Sequence, residues 1–355
     1  MKKAVYVSST QTFSGKTALC VGMINHFKAK GHDVGYMKPV SANARRTGKT
    51  FLDEDARFIK DLLNSPLPME VLTPVILNDR GIKALLDSGL SELKDKVKKA
   101  FELVSNNCEL VILEGGGSLR EGKIADLSPP ETGRLLGAPH LVVIPYQTDL
   151  QVMDDLLTAQ LRLGNDLIGA VINSVPEHKM ETVTNVIKPY AEKRGVRILG
   201  TLPRVRTLMS ISVAELKEGL GGTILCAGHN LDGLVEHIMI GAMAADSALA
   251  YFRRKGNKAV ITGGDRPDIQ LAALETSTKC LILTGNLKPS PLILGRAEEK
   301  GVAVILIPHD TMTAVEIIES FFGKVGFHQE EKIKLMEELL KTHLDFASME
   351  TIMGL

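Results

Sequence analysis

Gly15, Lys16 and Thr17 stand where an apolar run, Ala4 to Val7, gives way through small and polar residues to a helical pattern that reaches about Lys30. A bend at Thr12, Ser14 and Gly15 lined by backbone N–H groups, a lysine long enough to reach β- and γ-phosphates, and a hydroxyl able to ligate Mg²⁺ make up a phosphate-binding loop. The first glycine of the usual G-x-x-x-x-G-K-[ST] pattern is absent: Thr10 holds its place, or Ser9 if the loop is one residue longer. A second Gly48-Lys49-Thr50 follows polar Asn43 to Thr47 instead of a buried strand, so it lacks the context that gives the motif meaning.

Other chemistry-bearing residues fall at the ends of apolar runs. Leu110 to Leu113 leads to Glu114, and Gly115-Gly116-Gly117 follows. A carboxylate at the tip of a buried strand is costly unless a charged or donating group meets it, and glycines let a ligand or backbone approach closely. In a phosphate-loop fold such a carboxylate holds the Mg²⁺ of the nucleotide, directly or through water. Lys38, in Lys38-Pro39-Val40-Ser41, reads either as a second cation facing an anionic substrate or the γ-phosphate, or as a surface lysine. Two readings also stand for Asp55, in Asp53-Glu54-Asp55: an oxygen ligand for Mg²⁺, or a helix-start acid favoured by the helix dipole. Asn173 follows a further strand, where an amide can read the edge of a base or simply occupy a turn.

The elements that must position these groups alternate. Strands are expected near 4–8, 33–37, 109–113, 140–145, 167–172 and 197–201, with helices near 16–30, 53–63, 91–105, 149–163 and 178–194. This is the pattern of a parallel sheet with helices on both faces, whose ligand lies beyond the carboxyl ends of the strands. After a pause at Leu202 to Thr207 the alternation restarts, with strands near 223–227, 258–262, 280–284 and 302–307. Helices are expected there near 242–254, 267–276, 290–300 and 311–321. In this half Gly263, Gly264, Asp265, Arg266 and Asp268 lie between a strand and a helix, as a ligand loop or as ordinary turn and cap chemistry. Gln329 to Leu344 carries Ile333, Met336, Leu339, Leu340 and Leu344 at helical spacing, an amphipathic helix suited to packing on its own domain or on a twin subunit.

Composition sets the outer limits. The chain has 355 residues, enough for two ordinary domains, and its 42 Lys and Arg balance its 42 Asp and Glu. That balance argues against nucleic acid as the main partner, and the short basic cluster of Arg45, Arg46 and Lys49 reads as a loop near the phosphate site. Cys20, Cys108, Cys226 and Cys280 are widely spaced, as small buried residues in a reducing compartment are. With no signal peptide and no long uncharged apolar stretch, a cytoplasmic protein without membrane contact is expected.

The loop Ser9 to Thr17, Lys38-Pro39-Val40, Asp55, Glu114-Gly115 and Asn173, in that order, resemble the dethiobiotin synthetase branch of P-loop proteins. The resemblance implies that Lys16 and Thr17 bind phosphates and Mg²⁺, that Asp55 and Glu114 complete the metal site, that Asn173 recognises adenine, and that Lys38 faces a carboxylate or carbamate undergoing activation. Residues from about 207 to 320 resemble the DRTGG domain, the nearest text being Thr262 to Asp268. In tandem the two look like the N-terminal half of long phosphate acetyltransferases, with the acetyltransferase domain not following. The fold implied is α/β throughout: a P-loop NTPase-type domain over 1–206, a smaller DRTGG-like regulatory domain over 207–322, and a C-terminal helix and tail over 323–355. The implied function is ATP and Mg²⁺ binding in a regulatory or sensor role, with an unidentified small-molecule effector or protein partner and a homodimer by family habit. The alternative is an ATP-dependent ligase that activates a carboxylate or carbamate as a mixed phosphoric anhydride. The chain departs from the family's loop at Ser9, Gln11 and Phe13, where the branch usually carries Gly, Asp and Glu.

Overall fold

The computed structural model describes residues 3–47, 50–78, 90–321 and 327–355. Gly48 and Lys49 of the second Gly-Lys-Thr therefore lie outside the described residues. The chain divides into two compact units, Met1–Arg204 with Gly326–Leu355, and Val205–Val325.

In the first unit six strands, β1 (Lys3–Ser9), β2 (Val34–Met37), β3 (Leu110–Glu114), β4 (His140–Pro145), β5 (Leu167–Val175) and β6 (Ile198–Pro203), form one sheet in the order β6-β5-β4-β1-β3-β2. Every pairing in it is parallel. Buried on both faces, β3 reads Leu-Val-Ile-Leu without polar alternation, as strands of a covered parallel sheet do. The chain moves from central β1 to edge β2 on one side and later to β4 on the other, so the crevice for a ligand opens at the carboxyl end of β1.

The main helices of this unit are α1 (Lys16–Ala29), α2 (Glu54–Leu63), α3 (Leu90–Ser105), α4 (Pro129–Leu136) and α5 (Asp149–Leu163). The helix expected near 178–194 is interrupted by a π turn at Val183–Ile187. Helix α4 was not expected from periodicity, although Ser128 and Glu131 form a capping box and Pro129 stands at its first turn. Arg45–Thr47 and Thr50–Leu52 pair antiparallel, so Arg45 and Arg46 of the basic cluster lie on a strand and not in a plain loop, while Lys49 lies outside the described residues.

In the second unit α6 (Val213–Gly219) is followed by β7 (Thr223–Cys226), β8 (His237–Ile240), α7 (Ala245–Phe252), β9 (Lys258–Gly263), α8 (Pro267–Leu274), β10 (Thr278–Thr284), α9 (Pro291–Lys300), β11 (Ala303–Leu306) and α10 (Thr311–Phe321). The sheet order is β7-β11-β10-β9-β8, parallel except for β7 against β11.

The stretch set apart by sequence as a C-terminal helix and tail contains two helices, α11 (Glu330–His343) and α12 (Phe346–Met353), and both fold back on the first unit. A Cβ on Gly22 of α1 would stand 2.2 Å from Leu340 Cδ1, so Gly22 is small because α11 presses on it. The Phe346 ring stacks on His26 with centroids 3.6 Å apart, Asn25 donates to Glu337 at 2.6 Å, and Gly200 bridges Leu344. Helix α1 thus lies between the sheet and α11. Its burial on several sides, at Leu19, Cys20, Val21, Met23, Ile24 and Phe27, follows from that sandwiching.

His140, the first residue of β4 and in register with Tyr6 of β1, is fully buried, stacks on Tyr6 and shares a hydrogen bond with Ser8 Oγ at 3.2 Å. Burial lowers its pKa from 6.5 to about 4. The folded state therefore binds this proton later than the unfolded chain does. The stability it protects is fully present above about pH 6.5 and is lost as pH falls toward 4, on the order of 3 kcal/mol in all. Urea unfolding should show stability dropping between pH 6.5 and 5, with a flatter dependence in His140→Gln; an equally steep fall in the variant would contradict the assignment.

Candidate functional site

The loop from Thr10 to Gly15 joins β1 to α1, and it bends through two residues at positive φ, Phe13 at 53° and Gly15 at 91°. Gly15 is required twice over: by that backbone, and because a Cβ there would meet Asn173 Nδ2 at 2.4 Å. Asn173 lies inside β5, two residues before its end and not after it as expected, where it donates to the Ser14 carbonyl at 2.8 Å and accepts from the Ser174 N–H at 2.8 Å. It fastens the loop, and its amide retains one further donor hydrogen and one further lone pair. Gln11, where the resembling branch has an acid, accepts from Gln147 at 2.6 Å and donates to Asp155 at 2.8 Å, which ties the loop to α5. Phe13 lies exposed at the tip, and Thr12 is exposed beside it.

Lys16 is buried at the first turn of α1, with its ammonium 3.4 Å from Ser14 Oγ and 3.5 Å from Ser9 Oγ. Burial lowers its pKa. An ammonium solvated by two hydroxyls and a left-handed glycine turn is a cation held ready for an anion.

Beside it the carboxylates converge. Thr17 Oγ1 donates to Glu114 Oε1 at 2.8 Å, and the Tyr36 hydroxyl donates to Oε2 at 2.9 Å. Lys38 Nζ lies 2.9 Å from Asp53, 3.4 Å from Asp55 and 3.7 Å from Glu114. Burial opposes the charge on Lys38, but Glu114, Asp53 and Asp55 outweigh it and hold the ammonium above the usual lysine range. Burial pushes the Glu114 carboxyl up, with Lys38 opposing. For Asp53 burial is outweighed by Lys38 and by hydrogen bonds from Ser41 and the Ala56 N–H, which keep its carboxyl below the usual range. Asp53 is the N-cap of α2, so the cluster of acids divides: Asp53 caps and neutralises, while half-buried Asp55 faces Lys38 and stands 3.8 Å from His328.

Thr17, Asp55 and Glu114 offer one hydroxyl and two carboxylates, all hard oxygen donors. That set suits Mg²⁺, which binds through one or two carboxylates plus phosphates and retains several waters. Among the described residues no three of His, Cys, Asp and Glu gather as a metal-holding group, so a metal cage made only of such side chains is not what these residues form.

Of the triple glycine after β3, Gly115 meets the close backbone approach expected, and the other two make room for a side chain. A Cβ on Gly115 would crowd Tyr6 and the Val7 carbonyl, whereas on Gly116 and Gly117 it would collide with the carboxylate of Glu121. Glu121 was not singled out in the sequence. Its only signal was a charge shortly after three glycines.

In the second unit the candidate ligand loop is tied to itself. Arg266 makes two hydrogen bonds to Asp268, at 3.0 and 2.9 Å, and a third to the Met243 carbonyl at 3.0 Å. Buried Gln270 donates to the carbonyls of Gly263 and Gly264, and a Cβ on Gly264 would fall 1.7 Å from the Leu287 carbonyl. Asp265 is exposed. A groove of about 540 Å³ lies elsewhere, along edge strand β8, lined by Met239, Ile240, Tyr251, Arg254, Val315 and Ile318 among others. Sequence reading missed it because β8 is an edge strand in which only Met239 is buried, so it shows no continuous apolar run.

A parallel sheet with a glycine-turned loop and a buried lysine at the end of its central strand defines a P-loop NTPase-type, nucleotide-binding protein. By sequence the chain belongs to the AAA domain family over residues 3–212, of the dethiobiotin synthetase-like kind, and carries a DRTGG domain over residues 215–321. It is 24% identical to a phosphate acetyltransferase of Nitratidesulfovibrio vulgaris over 371 residues, 98% of this chain and 51% of that protein. It is 36% identical to an ATP-dependent dethiobiotin synthetase of Caldicellulosiruptor saccharolyticus over 119 residues, 33% of this chain and 49% of that one. Among solved structures it is similar to the CBS and DRTGG domains of the regulatory region of a Clostridium perfringens pyrophosphatase complexed with diadenosine tetraphosphate. There the identity is 27% and the TM-score 0.28, over 32% of this chain and 47% of that one. The chain spans about half the length of the phosphate acetyltransferases it matches. No described helix is long and apolar enough to cross a membrane.

Proposed function

We propose that the chain binds ATP or a related nucleotide with Mg²⁺ at the carboxyl end of β1 and acts as a cytoplasmic regulatory module, the second unit taking a small-molecule effector or protein partner. The observation that carries this reading is the hydrogen bond from Thr17 to Glu114 beside the buried ammonium of Lys16, a hydroxyl and carboxylate already aligned where a nucleotide's metal is held. Lys16 and the loop at Thr12, Ser14 and Gly15 bind the phosphates, Asn173 offers its remaining amide valences to the base, and Thr17, Asp55 and Glu114 hold Mg²⁺. When bound, the metal supplies charge neutralisation between phosphate oxygens. Pairing of two copies accompanies the site, and Gly263, Gly264, Asp265, Arg266 and Asp268 shape the second unit's ligand loop.

A ligase that forms a mixed phosphoric anhydride is the second reading, favoured by the identity with dethiobiotin synthetase across 119 residues. Against it, Lys38 is committed to three carboxylates and Phe13 and Gln11 replace acids. Incubation with Mg-ATP for several hours, with and without mixtures of carboxylates and amines, separates the two. The regulatory reading predicts binding without steady ADP release; ADP release that depends on an added carboxylate or amine would establish the ligase instead.

A further inference from the structure

Glu121 has an arrangement that the assigned nucleotide site leaves unused. Its Oε2 accepts the Gly117 N–H at 2.6 Å, while Oε1 is buried and has no hydrogen-bond partner. A carboxylate oxygen taken out of water with no donor is costly, and a native fold keeps one where a ligand or ordered water completes it. The surroundings are shaped for this side chain. A Cβ on Gly116 would lie 1.9 Å from Oε1, and one on Gly117 would lie 2.7 Å from Oε2 and 2.6 Å from the methyl of Thr12 in the phosphate loop. Two glycines and a loop residue thus make room for one carboxylate at the end of β3, seven residues beyond Glu114 in sequence. Its negative charge is felt at both Lys16 and Tyr6.

We propose that Glu121 is a ligand-binding residue whose Oε1 accepts a hydrogen bond from a water carried by the Mg²⁺ of the bound nucleotide. The inference rests on the Mg-nucleotide reading above. Mg²⁺ gives up its waters reluctantly, and those it keeps are strong donors that need acceptors. Thr17, Asp55 and Glu114 are too few to replace them all. An unpaired buried carboxylate oxygen next to the loop is the acceptor that is missing from that list.

The test is calorimetry of ATP with Mg²⁺ and of ATP with EDTA, on the wild-type chain and on Glu121→Gln. The glutamine can keep the Gly117 hydrogen bond through its carbonyl while presenting N–H groups where Oε1 was. The gain in affinity that Mg²⁺ confers should shrink by about tenfold in the variant, with metal-free ATP affinity unchanged. An undiminished Mg²⁺ gain in a folded variant overturns the proposal while leaving the nucleotide site standing. Absence of any ATP binding in the wild-type chain overturns both. Should Glu121→Gln fail to fold, a crystal structure of the wild-type chain with Mg²⁺ and a non-hydrolysable ATP analogue decides. A metal-bound water within about 3.2 Å of Oε1 supports the proposal, and an oxygen without such a water overturns it.

Discussion

Replacing Lys38 by Met is expected to destabilise the first unit by about 3–5 kcal/mol at neutral pH, the range for breaking a buried ion pair from one side. Asp53, Lys38 and Glu114 are almost wholly buried, at 2%, 3% and 1% exposure, and Lys38 is the ammonium that meets the acids. Removing it strands Asp53, whose remaining partners are the Ser41 hydroxyl and the Ala56 N–H. The pH dependence carries the sign. Asp53 titrates below its usual range in the native state, so its contribution is present above the unfolded carboxylate pKa and is lost as pH falls through the depressed folded value. The variant's deficit should therefore be present at neutral pH and disappear only below the unfolded carboxylate pKa of about 4, as protonation removes the charge that Lys38 had been balancing. Urea unfolding at several pH values measures this, and a deficit that grows on acidification would contradict it.

Lys16→Ala should behave in the opposite way. Nucleotide affinity is expected to fall at least about a hundredfold, since two charge-assisted hydrogen bonds to phosphate are worth roughly 3 kcal/mol or more together and each 1.4 kcal/mol is tenfold. Stability should hold or rise slightly. Lys16 is desolvated and its ammonium is met by the hydroxyls of Ser9 and Ser14, so burial works against its charge. A thermal melt beside the binding isotherm separates the two effects. Unchanged affinity would remove Lys16 from the phosphate site, and a large loss of stability would mean that the lysine serves the fold.

The two lysines mark what the sequence made legible. Lys16 follows a strand and opens a helix, and that local order is enough to place it. Lys38 is placed by strand order too, but its partners come from β3 and the start of α2, and nothing local announces that three carboxylates share it. The strands and helices around the crevice were readable because buried parallel strands are continuous apolar runs; β8 escaped because it is an edge strand with only Met239 buried, and its His-Ile-Met-Ile reads as no continuous buried run. The amphipathic face of α11 was also readable, whereas its destination was not. The clue lay in α1, apolar on more faces than one sheet can cover, with Gly22 at the spot where Leu340 presses. The triple glycine was recognised as a close approach, which the backbone of β1 makes at Gly115; what approaches Gly116 and Gly117 is Glu121, a contact set by the fold of the loop and invisible in spacing.

The measurement that bears most directly on the central claim is a calorimetric titration of Mg-ATP into the purified wild-type chain, with a Lys16→Ala control. Saturable binding at one site per chain, strengthened by Mg²⁺ and lost in the control, is the predicted result. No heat of binding up to millimolar Mg-ATP, or binding that the control retains in full, would contradict the assignment of a nucleotide site to the loop at the end of β1.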